Sequence, residues 1–377
     1  MHLSHISLLN FKNYRELTLD FSPGINCFTG HNGAGKTNLL DAIHYLSFCK
    51  SYFNSFDNQN ILQGEDLFVI QGIFDRNGQQ EEIYCAQNRN ESKQFKRNKK
   101  NYNRLSEHIG LLPVVMISPT DSELVQEGSE TRRKFVDSII SQADKDYLTD
   151  LIDYNRALLQ RNATLKSFFE NRNWDETLMS VWDGQMVAKG REIFKKRESF
   201  TAIFTELFCR IYAEISGVRE SVGLQYSSQL LDGDFEELLI KARVKDQTVQ
   251  YSTTGVHKDD WLFTKDNHPV KKFASQGQQK SFIIALKLAQ FFFLKNHFNT
   301  PPILLLDDMF DKLDEERVTR LAGKISGEDF GQVFITDTDT VRLEELFENR
   351  EKDFVIISIR DGALQKHDYF QTGYAKK

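Results

Sequence analysis

Residues Gly30 to Thr37 read GHNGAGKT and match the pattern G-x-x-x-x-G-K-[ST]. Its glycines let main-chain N–H groups turn toward phosphate oxygens, its lysine can reach the β- and γ-phosphates, and its final hydroxyl can coordinate Mg²⁺. A strand-like INCFT precedes the motif and a helix-like NLLDAIHYLSF follows it, which argues against a chance glycine-rich turn. We therefore predict that ATP, with Mg²⁺, is bound by Gly30, His31, Asn32, Gly33, Ala34, Gly35, Lys36 and Thr37.

A second chemical motif, ILLLDD, covers Ile303 to Asp308. Four consecutive apolar residues are typical of a strand buried on both faces of a parallel sheet. A carboxylate at the end of such a strand, beside a phosphate loop, can hold Mg²⁺, so Asp307 is predicted to join Thr37 as a metal ligand. Asp308 is the candidate to orient or deprotonate an attacking water. The alternative for the pair is a capped surface turn.

The stretch SQGQQKSF, beginning at Ser275, places a glycine among polar residues just before a long apolar helix pattern. A serine hydroxyl and a glycine at a helix start can bind an anion, because N–H groups and the positive dipole end converge there. We predict that Ser275, Gly277 and Gln278 complete the nucleotide pocket of a second copy of the chain. The alternative is a plain helix N-cap at Ser275.

The stretch KQFKRNKKNYNR holds six basic residues, two aromatic residues and no acid. A hairpin tip of this composition could follow a DNA backbone, and a solvated charged turn is the equal alternative. The candidate DNA contacts are Lys93, Lys96, Arg97, Lys99, Lys100 and Arg104. For a second basic run, Arg132 to Lys134, a helix-surface ion-pair face or contacts between lobe and head are favoured over DNA binding. We expect a polar network rather than a metal site at His257, Asp259 and Asp260, because this motif contains a single histidine and no cysteine.

Composition limits the class of protein. The 377 residues carry a formal net charge of −6, so any nucleic-acid contact must depend on a local basic patch. Four scattered cysteines without a CxxC pair favour a reducing compartment and argue against structural zinc. The N-terminus lacks the apolar core of a signal peptide, and the apolar run FIIALKLAQFFFL is too short to cross a bilayer. We expect a soluble, cytoplasmic protein.

The pattern along the chain predicts an α/β fold that is split in sequence. Alternating apolar residues predict short strands over residues 3–30 and an antiparallel meander over residues 67–118, which includes LLPVVMIS. A proline-free stretch with apolar residues every three or four positions predicts a mostly helical insert, and the strand pattern returns near residue 246. The expected parts are an ATPase head at 1–119 and 246–377, and a helical lobe at 120–245.

The order of these motifs resembles the ABC-type ATPase heads of the SMC-like family. Leu313–Asp314, after the carboxylates, resembles that family's dimer-contact loop. More closely, LLNFKNY, LVQEGSETRRKFVD, TTGVHKDD and SQGQQ are similar to motifs of the RecF family of bacterial recombination mediators. Transporter-type relatives carry a histidine in the segment after Val333, where this chain has Thr336 and Asp337, as in the RecF-like branch.

The resemblance implies that the signature serine and glycine bind the γ-phosphate of the partner's ATP and close a head-to-tail homodimer around two nucleotides. It also implies a weak DNA-dependent ATPase that clamps duplex DNA and gap junctions. Such a clamp would assist RecA at single-strand gaps together with RecR and RecO. Two alternatives stay open: another SMC-like DNA-repair or defence ATPase head, and a small-molecule kinase. The kinase would have no use for SQGQQ or a dimer-contact loop.

Overall fold

The computed structural model describes residues 1–171, 173–217, 220–310, 315–348 and 352–370. The chain forms two compact units. The sheet unit comprises Met1–Asp121, Glu214–Gly217 and Lys280–Lys377, and the helical unit comprises Ser122–Ala213 and Val218–Gln279. The predicted boundary after residue 119 lies within two residues of this division.

In chain order, the described strands are β1 (His2–Phe11), β2 (Tyr14–Asp20), β3 (Ile25–Thr29), β4 (Leu67–Arg76), β5 (Gln79–Asn88), β6 (Gln94–Arg97), β7 (Lys100–Asn101), β8 (Val114–Ile117), β9 (Val222–Ser227), β10 (Asp260–Lys265), β11 (His268–Pro269), β12 (Ile303–Leu306), β13 (Val333–Asp337), β14 (Phe354–Arg360) and β15 (Ala363–Phe370). The described helices are α1 (Lys36–Phe48), α2 (Glu123–Gln126), α3 (Ser129–Ala143), α4 (Lys145–Asn171), α5 (Glu176–Ser216), α6 (Phe235–Val249), α7 (Val270–Phe273), α8 (Gln276–Phe298), α9 (Glu315–Ile325) and α10 (Thr340–Phe347).

The central sheet of the sheet unit has the strand order β15-β14-β3-β13-β12-β8. All of its neighbouring pairs are parallel except β14 with β15. Strands β3, β12 and β13 are buried along their whole length. For β12 this burial follows from its run of four apolar residues. β13 lies between β3 and β12, so the carboxyl ends of these three strands meet at one edge of the sheet.

A second sheet in this unit has the order β2-β1-β4-β5-β6-β7 and is antiparallel throughout. This confirms the predicted meander up to residue 101. The placement of LLPVVMIS in the meander was wrong, because β8 pairs in parallel with β12 in the central sheet. The physical reason is its run of four apolar residues, which is buried on both faces. Helix α1 contacts strands of both sheets, and its apolar residues Leu39, Leu40 and Ile43 are fully buried.

The helical unit confirms the predicted mostly helical insert. Its longest helices are α4, with 27 residues, and α5, with 41 residues. It also contains a three-stranded sheet of order β11-β10-β9, in which Asp260–Lys265 pairs antiparallel with Val222–Ser227. Because of this pairing, residues 246–279 pack with the helices rather than with the central sheet, and residues 247–249 end helix α6 instead of starting a strand.

A buried arginine organises the helical unit. Arg197 on α5 is 1% exposed, and its Nη1 donates to Asp259 Oδ2 and to Val256 O, each at 2.7 Å. Its Nη2 lies 2.8 Å from Asp137 Oδ1. Nearby, the Tyr154 hydroxyl lies 2.7 Å from His257 Nδ1. The motif around His257 therefore forms a polar network, as the sequence favours, and a buried arginine of this kind is stable only with its carboxylates in place.

The second basic run has the ion-pair role that the sequence favours. Arg132 forms a two-pronged bond with Asp260 at 2.7 and 3.0 Å, and Lys134 pairs with Glu130 one helical turn earlier. Arg133 Nη1 donates to Asp259 O at 2.7 Å. All three basic side chains therefore bind partners within the helical unit.

Two further observations concern the whole chain. Among the described residues, no helix is both long and apolar enough to span a membrane. All four cysteines are unpaired thiols: Cys27, Cys49 and Cys85 are buried, and Cys209 is partly exposed. Burial raises the pKa of Cys49 to about 12 and raises the pKa of Cys27 and Cys85 as well.

Candidate active site

The glycine-rich loop connects the end of β3 to the start of α1. Gly30, Gly33 and Gly35 have φ angles of 147°, 82° and 115°, a region that L-residues rarely adopt. A Cβ on Gly30 would lie 2.2 Å from Ile359 O, so the main chain could not keep this path with any side chain there. The predicted loop therefore depends on glycine for both its conformation and its packing.

The turn between β1 and β2 supports this loop from outside. The Tyr14 hydroxyl donates to Gly35 O at 3.0 Å, and Asn13 Nδ2 donates to Ala34 O at 3.2 Å. The main-chain N–H of Gly362 donates to the same Ala34 oxygen at 2.9 Å. The sequence alone does not predict these supports. The only signal was the position of FKNY between two predicted strands.

Lys36 is held inside the loop. Its side chain is 4% exposed, and its Nζ donates to Gly30 O at 2.7 Å and to His31 O at 3.2 Å. The loop thus brings a positive charge to the face where its N–H groups would bind phosphate. His31, Asn32 and Gly33 are exposed at the tip of the loop.

The structure brings the two predicted metal ligands together across the sheet edge. Asp307 follows β12 and is 4% exposed, and the Thr37 hydroxyl donates to its Oδ1 at 2.7 Å. The Thr336 hydroxyl donates to the same oxygen at 2.9 Å. Burial raises the pKa of Asp307, the bonds from Thr37 and Thr336 act in the opposite direction, and the charge of Asp308 adds to the rise.

Asp308 lies beside this pair and is partly exposed. Its φ angle of 44° is in the left-handed region, which is unusual for a residue with a side chain. The amide of Asp308 donates to Thr336 Oγ1 at 2.9 Å. Thr336 was not assigned to the site from sequence, although the resemblance marks its segment as the one where transporter-type relatives carry a histidine. Its place becomes visible only when β13 is found between β3 and β12.

The oxygens of Thr37 and Asp307 fit Mg²⁺. A hydroxyl and a carboxylate are the hard oxygen donors this ion prefers. Protein sites of this kind supply one or two such ligands and leave the remaining positions to water and phosphate oxygens. The buried carboxylate, whose pKa is raised by desolvation, is also a group that a cation would stabilise in its charged form.

The signature residues lie in the helical unit, at the start of α8. Ser275 is exposed, its N–H donates to Gln278 Oε1 at 2.8 Å, and the N–H of Gln278 donates to Ser275 Oγ at 3.3 Å. This reciprocal pair is a capping box, so Ser275 does cap its helix. Gly277 lies within the capped turn, one residue before Gln278. The dimer-contact prediction, Leu313 and Asp314, falls outside the described residues.

Part of the basic hairpin is already neutralised within the sheet unit. Lys93 Nζ lies 2.8 Å from Asp57 Oδ2, and its side chain is only 13% exposed. Arg97 Nε donates to Glu81 Oε2 at 2.8 Å, and this hydrogen bond lowers the pKa of Glu81. These two of the six candidate DNA contacts therefore have carboxylate partners that the local sequence does not reveal.

The remaining basic residues of the hairpin project from its turn and edge. Lys99, Lys100 and Arg104 are exposed, and the Lys96 ammonium lies 5.3 Å from the Tyr84 ring centre. Lys99, at a φ of 67°, forms part of the tight turn between β6 and β7. The hairpin and the segment just after it therefore carry three exposed basic side chains.

The chain has the fold of an ABC-type P-loop ATPase head of the SMC-like kind. This class of protein is defined by a phosphate loop after β3, paired carboxylates after β12 and an inserted helical unit. Residues 2–364 match the family model described as RecF/RecN/SMC N terminal domain. The chain belongs to the RecF family.

Two curated relatives illustrate this membership. The DNA replication and repair protein RecF of Phocaeicola vulgatus is 50% identical, over 97% of this chain and 98% of the relative. The protein of the same name from Flavobacterium johnsoniae is 48% identical, over 95% of this chain and 100% of the relative.

Solved structures agree with the fold. The recombination mediator protein RecF-ATPrS in the RecFOR pathway superimposes with a TM-score of 0.87 at 29% identity, over 97% of this chain and 98% of that one. The Smc head domain derived from Pyrococcus furiosus, bound to the C-terminal domain of ScpA, gives a TM-score of 0.57 at 16% identity, over 98% of this chain and 96% of that one. The second likeness shows the fold alone.

Proposed function

We propose that this chain is an ATP-driven DNA-binding protein of recombinational repair, which pairs head to tail with a second copy and clamps DNA at single-strand gaps. The observation that carries the proposal is the cluster of Thr37, Asp307, Thr336 and Asp308 directly beside the phosphate loop. Relatives named as DNA replication and repair proteins, and a related mediator solved as RecF-ATP in the RecFOR pathway, support the same biological role.

Each group at the sheet edge has a proposed task in hydrolysis. Lys36 and the loop amides bind and orient the phosphates, which places the γ-phosphoryl group at the carboxylate edge. Thr37 and Asp307 would hold Mg²⁺, which neutralises charge developing on the phosphate oxygens. Asp308 orients the attacking water or accepts its proton, since it lies beside Asp307 but is more exposed.

The signature residues have their proposed task in a second copy. Ser275, Gly277 and Gln278 begin α8, where main-chain N–H groups and the helix dipole favour an anion. If they contact the γ-phosphate bound by the partner's loop, one chain carries only part of each pocket. Hydrolysis then depends on dimer formation, and it is slow until DNA favours the closed dimer. Asp314 stays a predicted dimer contact.

Gel filtration with light scattering, with and without ATP and duplex DNA, tests the shared pocket. Wild type should become a dimer with ATP, and Lys36→Met should lose nucleotide binding and stay a monomer. Ser275→Arg should bind nucleotide as a monomer yet fail to dimerise. Ser180→Arg, at an exposed serine of α5 that adds the same charge to the same unit, is the matched control and should dimerise normally.

Asp308→Asn separates assembly from hydrolysis. This variant should trap the ATP-bound dimer, since the phosphate contacts remain while the water-activating carboxylate is lost. A monomeric Asp308→Asn protein would count against the proposed role in hydrolysis. Ser275→Arg chains that dimerise as well as wild type would refute the shared pocket.

DNA and the pathway partners complete the proposal. The exposed charges at Lys99, Lys100 and Arg104 support a backbone contact with duplex DNA or a gap junction. We propose that the clamp acts with RecR and RecO to help RecA replace single-strand-binding protein. Turnover should rise with gapped or duplex DNA. A rise with a small phosphoryl acceptor instead, and none with DNA, would favour the kinase alternative.

A further inference from the structure

Thr336 occupies the strand that separates the two halves of the candidate active site. It lies in β13, pairs with Phe28 of β3 in parallel register, and is fully buried. Its neighbour on the other side is β12, which ends at the two carboxylates. The sheet order therefore places this one hydroxyl between the loop strand and the carboxylate strand.

The hydroxyl of Thr336 is shared among three groups. It accepts the amide N–H of Asp308 at 2.9 Å, and it lies 2.9 Å from Asp307 Oδ1 and 3.3 Å from Asp308 Oδ1. A hydroxyl has a single hydrogen to donate, so it can bond fully with only one of the two carboxylates at a time. The shorter distance favours Asp307 as the acceptor of that hydrogen.

Asp308 depends on this hydroxyl more than Asp307 does. Asp307 also receives a hydrogen bond from Thr37, whereas the hydrogen bonds of the Asp308 amide and carboxylate, within the described part of the chain, both involve Thr336. The main chain of Asp308 is also in the left-handed region, with φ at 44°. A conformation of this kind persists only when its surroundings hold it.

We infer that Thr336 is a positioning residue: its hydroxyl anchors the amide of Asp308 and thereby aims the Asp308 carboxylate at the reacting water, while its proton is shared with Asp307. Thr336 touches no substrate in this role and acts through Asp308. The inference rests on the proposed function, because it gives Thr336 a task in the same hydrolysis.

Substitution by valine, serine and cysteine tests the inference. Valine keeps the branched shape in the strand but removes the hydroxyl, and serine restores it. We expect Thr336→Val to lower the maximal ATP turnover by roughly 10- to 100-fold, because the amide of Asp308 loses its anchor. Nucleotide affinity should stay within about threefold of wild type, because Asp307 keeps its hydrogen bond from Thr37. Thr336→Ser should return turnover to within about fivefold of wild type. Should the valine protein fail to fold, Thr336→Cys, with a weaker donor of similar size, should give an intermediate loss.

Two readouts distinguish positioning from a merely structural role. In the double variant Thr336→Val with Asp308→Asn, turnover should equal that of Asp308→Asn alone, since residues that act as a unit are not additive. Amide hydrogen exchange, followed in nucleotide-free protein over the peptide that contains Asp308, should be faster in the valine protein and normal in the serine protein.

The outcomes separate this inference from the proposed function. If Asp308→Asn abolishes turnover while Thr336→Val leaves it unchanged, the inference is overturned and the proposed function stands. If the two single losses multiply in the double variant, Thr336 acts independently of Asp308 and the inference also fails. If Asp308→Asn has wild-type turnover, the proposed hydrolysis mechanism itself is wrong.

Discussion

Replacement of Lys287 by methionine should weaken the sheet unit strongly. This lysine lies on α8, is 4% exposed, and places its Nζ 2.9 Å from Asp121 Oδ1 and 3.1 Å from the Tyr52 hydroxyl. Asp121 is itself 5% exposed. Methionine fills a similar volume without charge, so the variant leaves a buried carboxylate without its cation.

The size of the effect follows from what Asp121 retains. Removal of one partner from a buried ion pair destabilises a protein by about 3–5 kcal/mol. Asp121 keeps the N–H of Ser118 at 2.8 Å and the Tyr52 hydroxyl, so we expect the lower end, about 3 kcal/mol. For a unit of this size that corresponds to a fall of roughly 6–12 °C in melting temperature. Combining Lys287→Met with Asp121→Asn should reduce the loss to about 1 kcal/mol, because no uncompensated charge stays buried.

Calorimetry and urea unfolding provide the measurement. All three tryptophans, Trp174, Trp182 and Trp261, belong to the helical unit, so tryptophan emission follows that unit while circular dichroism follows both. Lys295→Met is the matched control on the same helix, since Lys295 pairs with the largely exposed Asp329 and should lose less than about 1 kcal/mol. A Lys287→Met protein as stable as this control, or a double variant that loses the sum of the two single effects, would refute the reasoning.

Three further predictions concern other parts of the chain. Gly30→Ala should prevent correct folding of the phosphate loop, since its Cβ would meet Ile359 O at 2.2 Å, whereas Gly33→Ala has open space and should lose only about 1 kcal/mol to backbone strain, as melting temperatures would show. Burial lowers the pKa of His108 to about 4, below its value near 6.5 in the unfolded chain. The unfolded chain therefore binds a proton more readily, and the free energy of unfolding falls as the pH drops from about 6.5 to about 4. His108→Gln should remove up to about 1.4 kcal/mol per pH unit of that slope in urea titrations between pH 4 and 6.5, and an unchanged slope would contradict it. Replacing Lys99 and Lys100 by alanine should reduce the slope of log binding constant against log salt by about 2 for duplex DNA, and an unchanged slope would place the DNA contact elsewhere.

The local chemistry of the site could be predicted from sequence because each motif is continuous in the chain. GHNGAGKT specifies its own loop, and the apolar run before Asp307 specifies a buried parallel strand. The meeting of Thr37 with Asp307 follows, since carboxyl ends of parallel strands share one edge. Periodicity likewise sufficed for the helical insert, where apolar spacing of three and four continues over long stretches.

Features that depend on distant pairing could not be predicted. β8 pairs with a strand nearly 190 residues later, so its sheet could not be read from its neighbours in sequence. The place of Thr336 beside the carboxylates can be recognised only once the strand order is known. The ion pair of Lys93 could not be predicted either, because two strands separate its partner Asp57 from it in sequence. From sequence, residues 246–279 are expected to belong to the ATPase head, because the alternating residues of β10 are typical of any strand. Their place in the helical unit becomes clear only from the pairing of β10 with β9.

The burial of the cysteines makes the chain well suited to fluorescent labelling. Cys27, Cys49 and Cys85 are enclosed, and their raised pKa leaves little reactive thiolate at neutral pH. Replacing Cys209 alone should leave a background nearly silent to maleimide dyes. Donor and acceptor dyes attached through a new cysteine at an exposed position would then test by energy transfer, molecule by molecule, whether two copies form the proposed dimer and how long it lasts.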